Sequence, residues 1–253
     1  MNTLACVKRV PDTGAKIVLT DDQRGIDTST LGFTMSPHEE CALEEAVRIA
    51  EDRDGTATAL TLGPEAADEQ LRTALAMGAD EATLLETGDG EWGPVDTATA
   101  IADYVADAET DFDLLLVGNE SADAANYQVG THLASRLDRP FVAGIKSLDV
   151  EDGTAIAKRE VAGGEEVYEV DLPAVIAVKE GLNEPRYPSM RSKMRARKQE
   201  VASATPEPAG ADCLEMVRLE SPDDDEGAAE ILGESADAAD DVLEVLRDDV
   251  EVL

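Results

Sequence analysis

The widest consequences for the fold come from Phe112 to Leu137, which reads FDLLLVG, then NESADAANYQ, then VGTHLASRL. Leu114 to Val117 form an apolar run bounded by Asp113 and Gly118, the pattern of a strand buried on both faces. Val129, Leu133 and Leu137 follow at helical spacing. The chain therefore goes from strand through polar loop to helix, and in a parallel α/β sheet that corner lies at the carboxyl ends of the strands, where ligands bind. The exposed N–H groups and partial positive charge of a helix N-terminus suit a phosphate. Gly130 is expected to leave its backbone open to such a group, with Asp123, Asn126, Gln128 and Thr131 around it. Taken alone the corner decides nothing, because many such connections hold no ligand.

Strand and helix patterns alternate on either side of it. Leu4–Val10 reads as a first strand, and Ile17–Leu19 as a short hairpin strand over the sheet edge. Ser36-Pro37-His38-Glu39 predicts a helix start, with serine as cap, proline at the first helical position and glutamate three residues after the cap. Leu43, Ala46, Val47 and Ala50 share one face of that helix. Thr56–Leu62 predicts a strand, then a helix with Leu71, Ala74 and Leu75 inward, ended by Gly78. A strand at Ala82–Leu85 and a helix from Pro94 to Glu109 complete the series. The expected fold class is α/β: a Rossmann-like parallel sheet with helices on both faces. Phe141–Val150 and Thr154–Val170 alternate apolar and polar residues around Asp152-Gly153 and Gly163-Gly164, which predicts an antiparallel hairpin insertion. Ala174–Val178 returns to a buried strand. Two parts are expected: a nucleotide-binding α/β domain over 1–202, and an acidic arm and helix over 203–253 that packs on a partner subunit, with packing on its own domain as the alternative. Val242, Val245, Leu246 and Val250 supply that helix's apolar stripe.

Charge narrows the function. Net charge is −35, with acids spread along the whole chain, as in a carboxylate coat that keeps a protein soluble in concentrated salt. A halophilic protein is the expectation, and nucleic acid is an improbable partner for such a surface. Three cysteines (Cys6, Cys41, Cys213) without a CxxC pair argue against a disulfide framework or a zinc site and fit a reducing cytoplasm. MNTLACVKRV lacks the apolar core of a signal peptide, and no run approaches the ~20 residues of a membrane span. His38 and His132 fall on helix first turns and read as capping or surface residues; no catalytic residue and no metal ligand set stands out.

One segment breaks the acidic pattern. Lys179 to Lys198 carries seven bases and two acids, with prolines framing Arg186-Tyr187 and an exposed apolar tip at Met190. A basic stretch in an acidic coat steers acidic partners, and a methionine can anchor in a pocket of variable shape. A solvated helix C-terminus rich in bases is the competing reading.

LPAVIAVKEGLNEPRYPSMRSKMRARK resembles the signature of the electron transfer flavoprotein beta subunit, in which L-P-A-V precedes L-N-E-P-R-Y and a basic helix. VKRVPD, MSPHEECALEEAVR and LRTALAMGAD are similar to that family too, in the same order. The resemblance implies a heterodimer with an alpha subunit. It also implies electron flow from flavin dehydrogenases to a membrane quinone oxidoreductase, by an electron carrier rather than a stand-alone enzyme. FAD would be shared with the alpha subunit, and this chain would hold AMP or, as in bifurcating members, a second FAD. Carried over by position, the cofactor-binding residues are Cys6, Ser36, Leu62, Asp123, Asn126, Gln128, Val129, Gly130 and Thr131. Met190, Arg186, Tyr187, Arg191 and Arg195 would dock partners, and Glu160 would face the flavin domain. The AMP-type loop reads T-G-Q, whereas Gln128-Val129-Gly130 is closer to the FAD-holding type, so the nucleotide stays open with a lean to FAD. The alternatives are an adenine-nucleotide-binding regulator of universal-stress-like α/β fold, and a purely structural heterodimer partner. The regulator would need the corner but not the basic loop, and the structural partner would leave the corner empty.

Overall fold

A computed structural model describes residues 1–12, 14–88, 90–211, 216–221, 231–233 and 235–249. Cys213 and Val250 lie outside the described residues. β1 (Thr3–Cys6) is followed by a short antiparallel pair, β2 (Arg9–Pro11) with β3 (Phe33–Met35). The expected strand Leu4–Val10 is thus split in two. Val7 still donates its N–H to Leu60 O at 2.8 Å, but the Lys8 N–H goes to the Glu39 carboxylate at 2.6 Å, so the chain leaves the sheet there. The strand expected at Ile17–Leu19 reduces to a single bridge between Leu19 and Ile26. Ile17 and Val18 stay exposed, so no buried face holds a longer ladder together.

α1 (Pro37–Asp52) starts at proline as expected and buries Leu43, Ala46, Val47 and Ala50. β4 (Ala57–Gly63), α2 (Asp68–Met77), β5 (Glu81–Glu86), α3 (Pro94–Asp107), β6 (Leu114–Gly118) and α4 (Val129–Leu137) continue the alternation. Gly78 closes α2 at φ +125°, a conformation that costs glycine little. β7 (Phe141–Ile145), β8 (Ser147–Glu151), β9 (Thr154–Val161), β10 (Gly164–Asp171) and β11 (Ala174–Val178) come next, then α5 (Met190–Ala196), β12 (Ala202–Ala204) and α6 (Ala239–Glu244).

Seven strands form the central sheet in the order β12-β5-β4-β1-β6-β11-β7, every neighbouring pair parallel. Side chains of α1 and α2 share one core with Ala5, Ala59 and Leu116, while α3 and α4 share another with Leu4, Leu60 and Leu115. The two helix pairs therefore cover opposite faces, which is why β6 is apolar without interruption. Leu114, Leu115 and Leu116 are fully buried, each contributing about 1.5–3 kcal/mol.

The antiparallel insertion is real but shorter than expected. β8, β9 and β10 form a separate three-stranded sheet, while Phe141–Ile145 pairs in parallel with β11 at the edge of the central sheet. An edge strand is covered less completely than a central one, so it alternates much as a hairpin strand does. At the other edge β12 pairs with β5, so the arm expected from residue 203 begins inside the central sheet. Farther on, the Gly210 and Ala211 N–H groups donate to the Asp96 carboxylate at 3.2 and 2.9 Å, and Leu219 donates to Gln23 O at 2.7 Å. The arm thus runs back across this chain's own surface. The final helix is brief, with Val242 exposed and Val245 and Leu246 half-buried. Among the described residues no helix is long and apolar enough to cross a membrane.

Candidate functional site

The chain builds outward from β1 to β4 and β5, then crosses back to place β6 on the other side of β1. Between the carboxyl ends of β1 and β6, at Cys6 and Gly118, the winding direction reverses, and such a switch point opens a crevice. Cys6, Leu62 and Val129, at or near the ends of β1, β4 and the start of α4, are half-buried against the same apolar core. The loop from Ser121 to Gln128 arches beyond β6. Asn126 and Thr131 are exposed there, Gln128 is half-buried, and Ala125 and Tyr127 take positive φ.

α4 begins at this loop without a side-chain cap. Gln128 holds the cap position, and the first bond inside the helix runs from His132 N–H to Gln128 O at 3.0 Å. The N–H groups of Val129, Gly130 and Thr131 therefore have no partner within the helix. Gly130 itself serves packing: a Cβ would lie 2.8 Å from Phe141 Cε2 and 3.0 Å from Val117 Cγ2. The missing side chain lets α4 lie close on β6 and β7, so the glycine is required by the sheet side of the helix.

Two side chains outside the cofactor-binding residues expected from sequence hold the crevice together. Lys8 Nζ meets Asp123 Oδ2 at 2.6 Å, tying the segment after β1 to the loop after β6. Asp123 also accepts the Ala124 N–H at 2.8 Å. Burial alone would raise the Asp123 carboxyl, but hydrogen bonds from Lys8 and Ser121 and the Lys8 charge hold it below its ordinary value. The second is Glu39, whose Cγ lies where a Cβ on Gly118 would come within 2.7 Å. Its carboxylate takes the Lys8 N–H and also interacts with the Ser36 backbone N–H, so the glutamate half of the expected capping box is kept while the serine half is not. Ser36 keeps the cap position but makes no cap bond, and its fully buried Oγ has no hydrogen-bond partner.

Burial pushes the Glu39 carboxyl from 4.5 up to about 8, against the hydrogen bond and charge of Lys8. Burial also pushes the Cys6 thiol up to about 12, with Glu39 adding to the effect, so Cys6 is an apolar wall and not a thiolate. The Glu39 shift has a stability consequence. The folded state binds this proton more tightly than the unfolded state, so the associated stability is complete below about pH 4.5 and is lost as pH rises through about 8. Thermal midpoints across that range should fall more steeply for the parent than for Glu39→Gln, which keeps an acceptor for Lys8. Superimposable curves would contradict the assignment.

The basic segment is fastened to α1. Arg186 meets Glu44 through Nε at 2.9 Å and Glu51 through Nη1 at 2.9 Å, and hydrogen bonds with Glu51 and Glu44 push its guanidinium up. Asn183 Nδ2 donates to Cys41 O at 3.0 Å and Glu45 Oε2 at 2.9 Å. His38 is a bridge and not a cap: its Nδ1 accepts the Glu180 N–H at 2.7 Å, and its Nε2 is 3.5 Å from Glu120. Beyond this base, Tyr187, Met190 and Met194 are 88%, 75% and 62% exposed. Lys193 lies 4.8 Å over the Tyr187 ring, and Arg191 and Arg195 are exposed beside it. α5 is only seven residues long and is capped by Ser189, which accepts the Ser192 N–H at 3.1 Å.

Comparison with known proteins decides the family. Residues 24–209 match the electron transfer flavoprotein domain. The electron transfer flavoprotein subunit beta of Bacillus subtilis is 34% identical over 261 aligned positions, covering all of both chains. The subunit beta of Dictyostelium discoideum is 32% identical, covering 98% of this chain and 97% of that one. That of Syntrophomonas wolfei is 37% identical over 81% of this chain and 79% of its own. The chain belongs to the electron transfer flavoprotein family, as a beta subunit.

Within that family framework the expected residues separate into groups. Cys6, Leu62 and Val129 share one apolar wall, Asp123 stands across from Lys8, and Ser36 sits at the start of α1. Arg186, grouped from sequence with the docking residues, differs from them because both faces of its guanidinium fork are taken by Glu44 and Glu51. It anchors the loop and offers no free charge. Met194 escaped the sequence reading, although it stands one helical turn from Met190. Glu160 on β9 is exposed and pairs with Lys146 at 2.9 Å.

Proposed function

We propose that this chain joins an alpha subunit to form a carrier that takes electrons from flavin dehydrogenases and delivers them to a membrane quinone oxidoreductase. The FAD that exchanges electrons is shared with the alpha subunit, and the crevice of this chain holds AMP or a second FAD. The observation that carries the nucleotide reading is the set of unclaimed donors at the switch point. Val129, Gly130 and Thr131 present N–H groups at a helix N-terminus, and Ser36 keeps a buried hydroxyl without a partner. Lys8 adds positive charge for a phosphate, and the wall of Cys6, Leu62 and Val129 suits a flat ring. Asp123, Asn126 and Gln128 supply polar partners for the rest of the nucleotide. When bound, a flavin supplies the redox chemistry; this chain's residues bind it, orient it and exclude water from it. A second FAD here would fit an electron-bifurcating carrier, and AMP a structural role.

Docking of the dehydrogenases falls to Met190, Tyr187 and Met194, with Arg191 and Arg195 as a basic rim. The chain produced alone should be colourless or weakly flavinylated and become stably yellow when co-expressed with its alpha subunit. The absorbance near the flavin bands, compared before and after co-expression, checks this. A full, tightly held flavin complement on the single chain would overturn the shared-site reading.

A further inference from the structure

We propose that Arg186 and Asn183 are positioning residues that hold the docking tip in one geometry before any partner arrives; this rests on the docking reading above. The segment from Lys179 to Ser189 has no strand or helix of its own, yet α1 holds it at several points. His38 takes the Glu180 N–H, Cys41 and Glu45 take Asn183, and Cys41 Sγ donates back to Asn183 O at 3.6 Å. Glu44 accepts the Arg186 backbone N–H at 3.0 Å as well as its guanidinium, and Glu51, two turns along the same helix face, accepts the other side. Pro185 and Pro188 fix φ on either side of Arg186-Tyr187.

The placement of charge supports this role. Glu44 is 6% exposed, so its carboxylate needs a partner, and a bidentate arginine is the strongest available. A clamp that is partly out of water survives salt that screens Arg191 and Arg195. The residue after Arg186 is Tyr187, and the tip continues through Met190 and Met194, so rigidity at the base passes directly into the apolar surface. A loop ordered in advance loses less conformational freedom on binding than one that must be ordered by its partner.

The test uses the heterodimer and the flavin dehydrogenase that reduces the parental complex. Arg186→Met combined with Glu44→Gln removes the clamp without stranding a buried carboxylate, and Glu51→Gln loosens only its exposed half. The double variant should raise KM for the dehydrogenase about tenfold with kcat changed less than about twofold, because ordering cost acts on binding. Nucleotide content should stay at the parental value, and amide exchange over residues 180–187 should quicken. Glu51→Gln should move KM and exchange in the same direction by a smaller factor, and it stands in if the double variant does not fold. Met190→Ala serves as reference. If Met190→Ala raises KM while the clamp variants do not, docking stands and the positioning role is wrong. If none of them changes KM, the docking reading itself fails and takes the inference with it. Unchanged exchange over 180–187 in the clamp variants also overturns it.

Discussion

Met190→Ala should weaken the encounter with a partner dehydrogenase about 30-fold, with flavin content unchanged. Met190 is three-quarters exposed on a short helix and is flanked by Tyr187 and Met194, so a partner that seats it buries a continuous apolar tip. Removing a buried anchor of this kind costs about 2 kcal/mol or more, which corresponds to roughly 30-fold in affinity. Neutralising Arg191 and Arg195 should act differently, lowering the association rate while leaving dissociation nearly unchanged. Salt separates the two effects. At about 1 M the screening length is ~3 Å, so the charge effect fades while the Met190 effect persists. Electron delivery measured against salt for both variants checks this, and parental rates for Met190→Ala would make the segment a solvated helix end.

The second large effect concerns Gly130. Gly130→Val should destabilise the fold by about 1–3 kcal/mol, the usual cost of forcing extra carbons into a packed contact. The ring of Phe141 and the methyl of Val117 already stand 2.8–3.0 Å from the position of a Cβ. For a chain of this size each kcal/mol lowers the thermal midpoint by about 2–4 °C. Nucleotide content should fall with it, because α4 must lift from β6 and carry its unclaimed N–H groups along. An unchanged midpoint with lost nucleotide would restore the reading in which the glycine makes room for phosphate. Gly130 could be singled out from sequence, but its reason could not: Phe141 was assigned to a hairpin, and only the pairing of β7 with β11 brings its ring under α4.

Local pattern carried most of the architecture. Apolar runs such as Leu114–Val117 and Ala174–Val178 marked central strands, because strands covered on both faces have no polar side to show. Ser36-Pro37 marked the start of α1 correctly, but not that the Glu39 carboxylate would also take the Lys8 N–H, 31 residues away. The features that escaped share that origin. Lys8 reaches Asp123 across 115 positions, and Arg186 reaches Glu44 and Glu51 across 142 and 135. In a chain with 56 acids, no particular glutamate signals that it is the partner of an arginine. The break in charge at Lys179–Lys198 was visible, but which of its bases point inward was not, because that depends on where α1 lies.

The central claim is that the crevice between β1 and β6 binds an adenine nucleotide of its own, apart from the FAD shared with the alpha subunit. The heterodimer should be purified, denatured, and its released nucleotides separated by chromatography and counted against protein. Two adenine nucleotides per heterodimer are expected, either one FAD with one AMP or two FAD, and Asp123→Ala should selectively reduce one of them. A single FAD per heterodimer and nothing else would contradict the account.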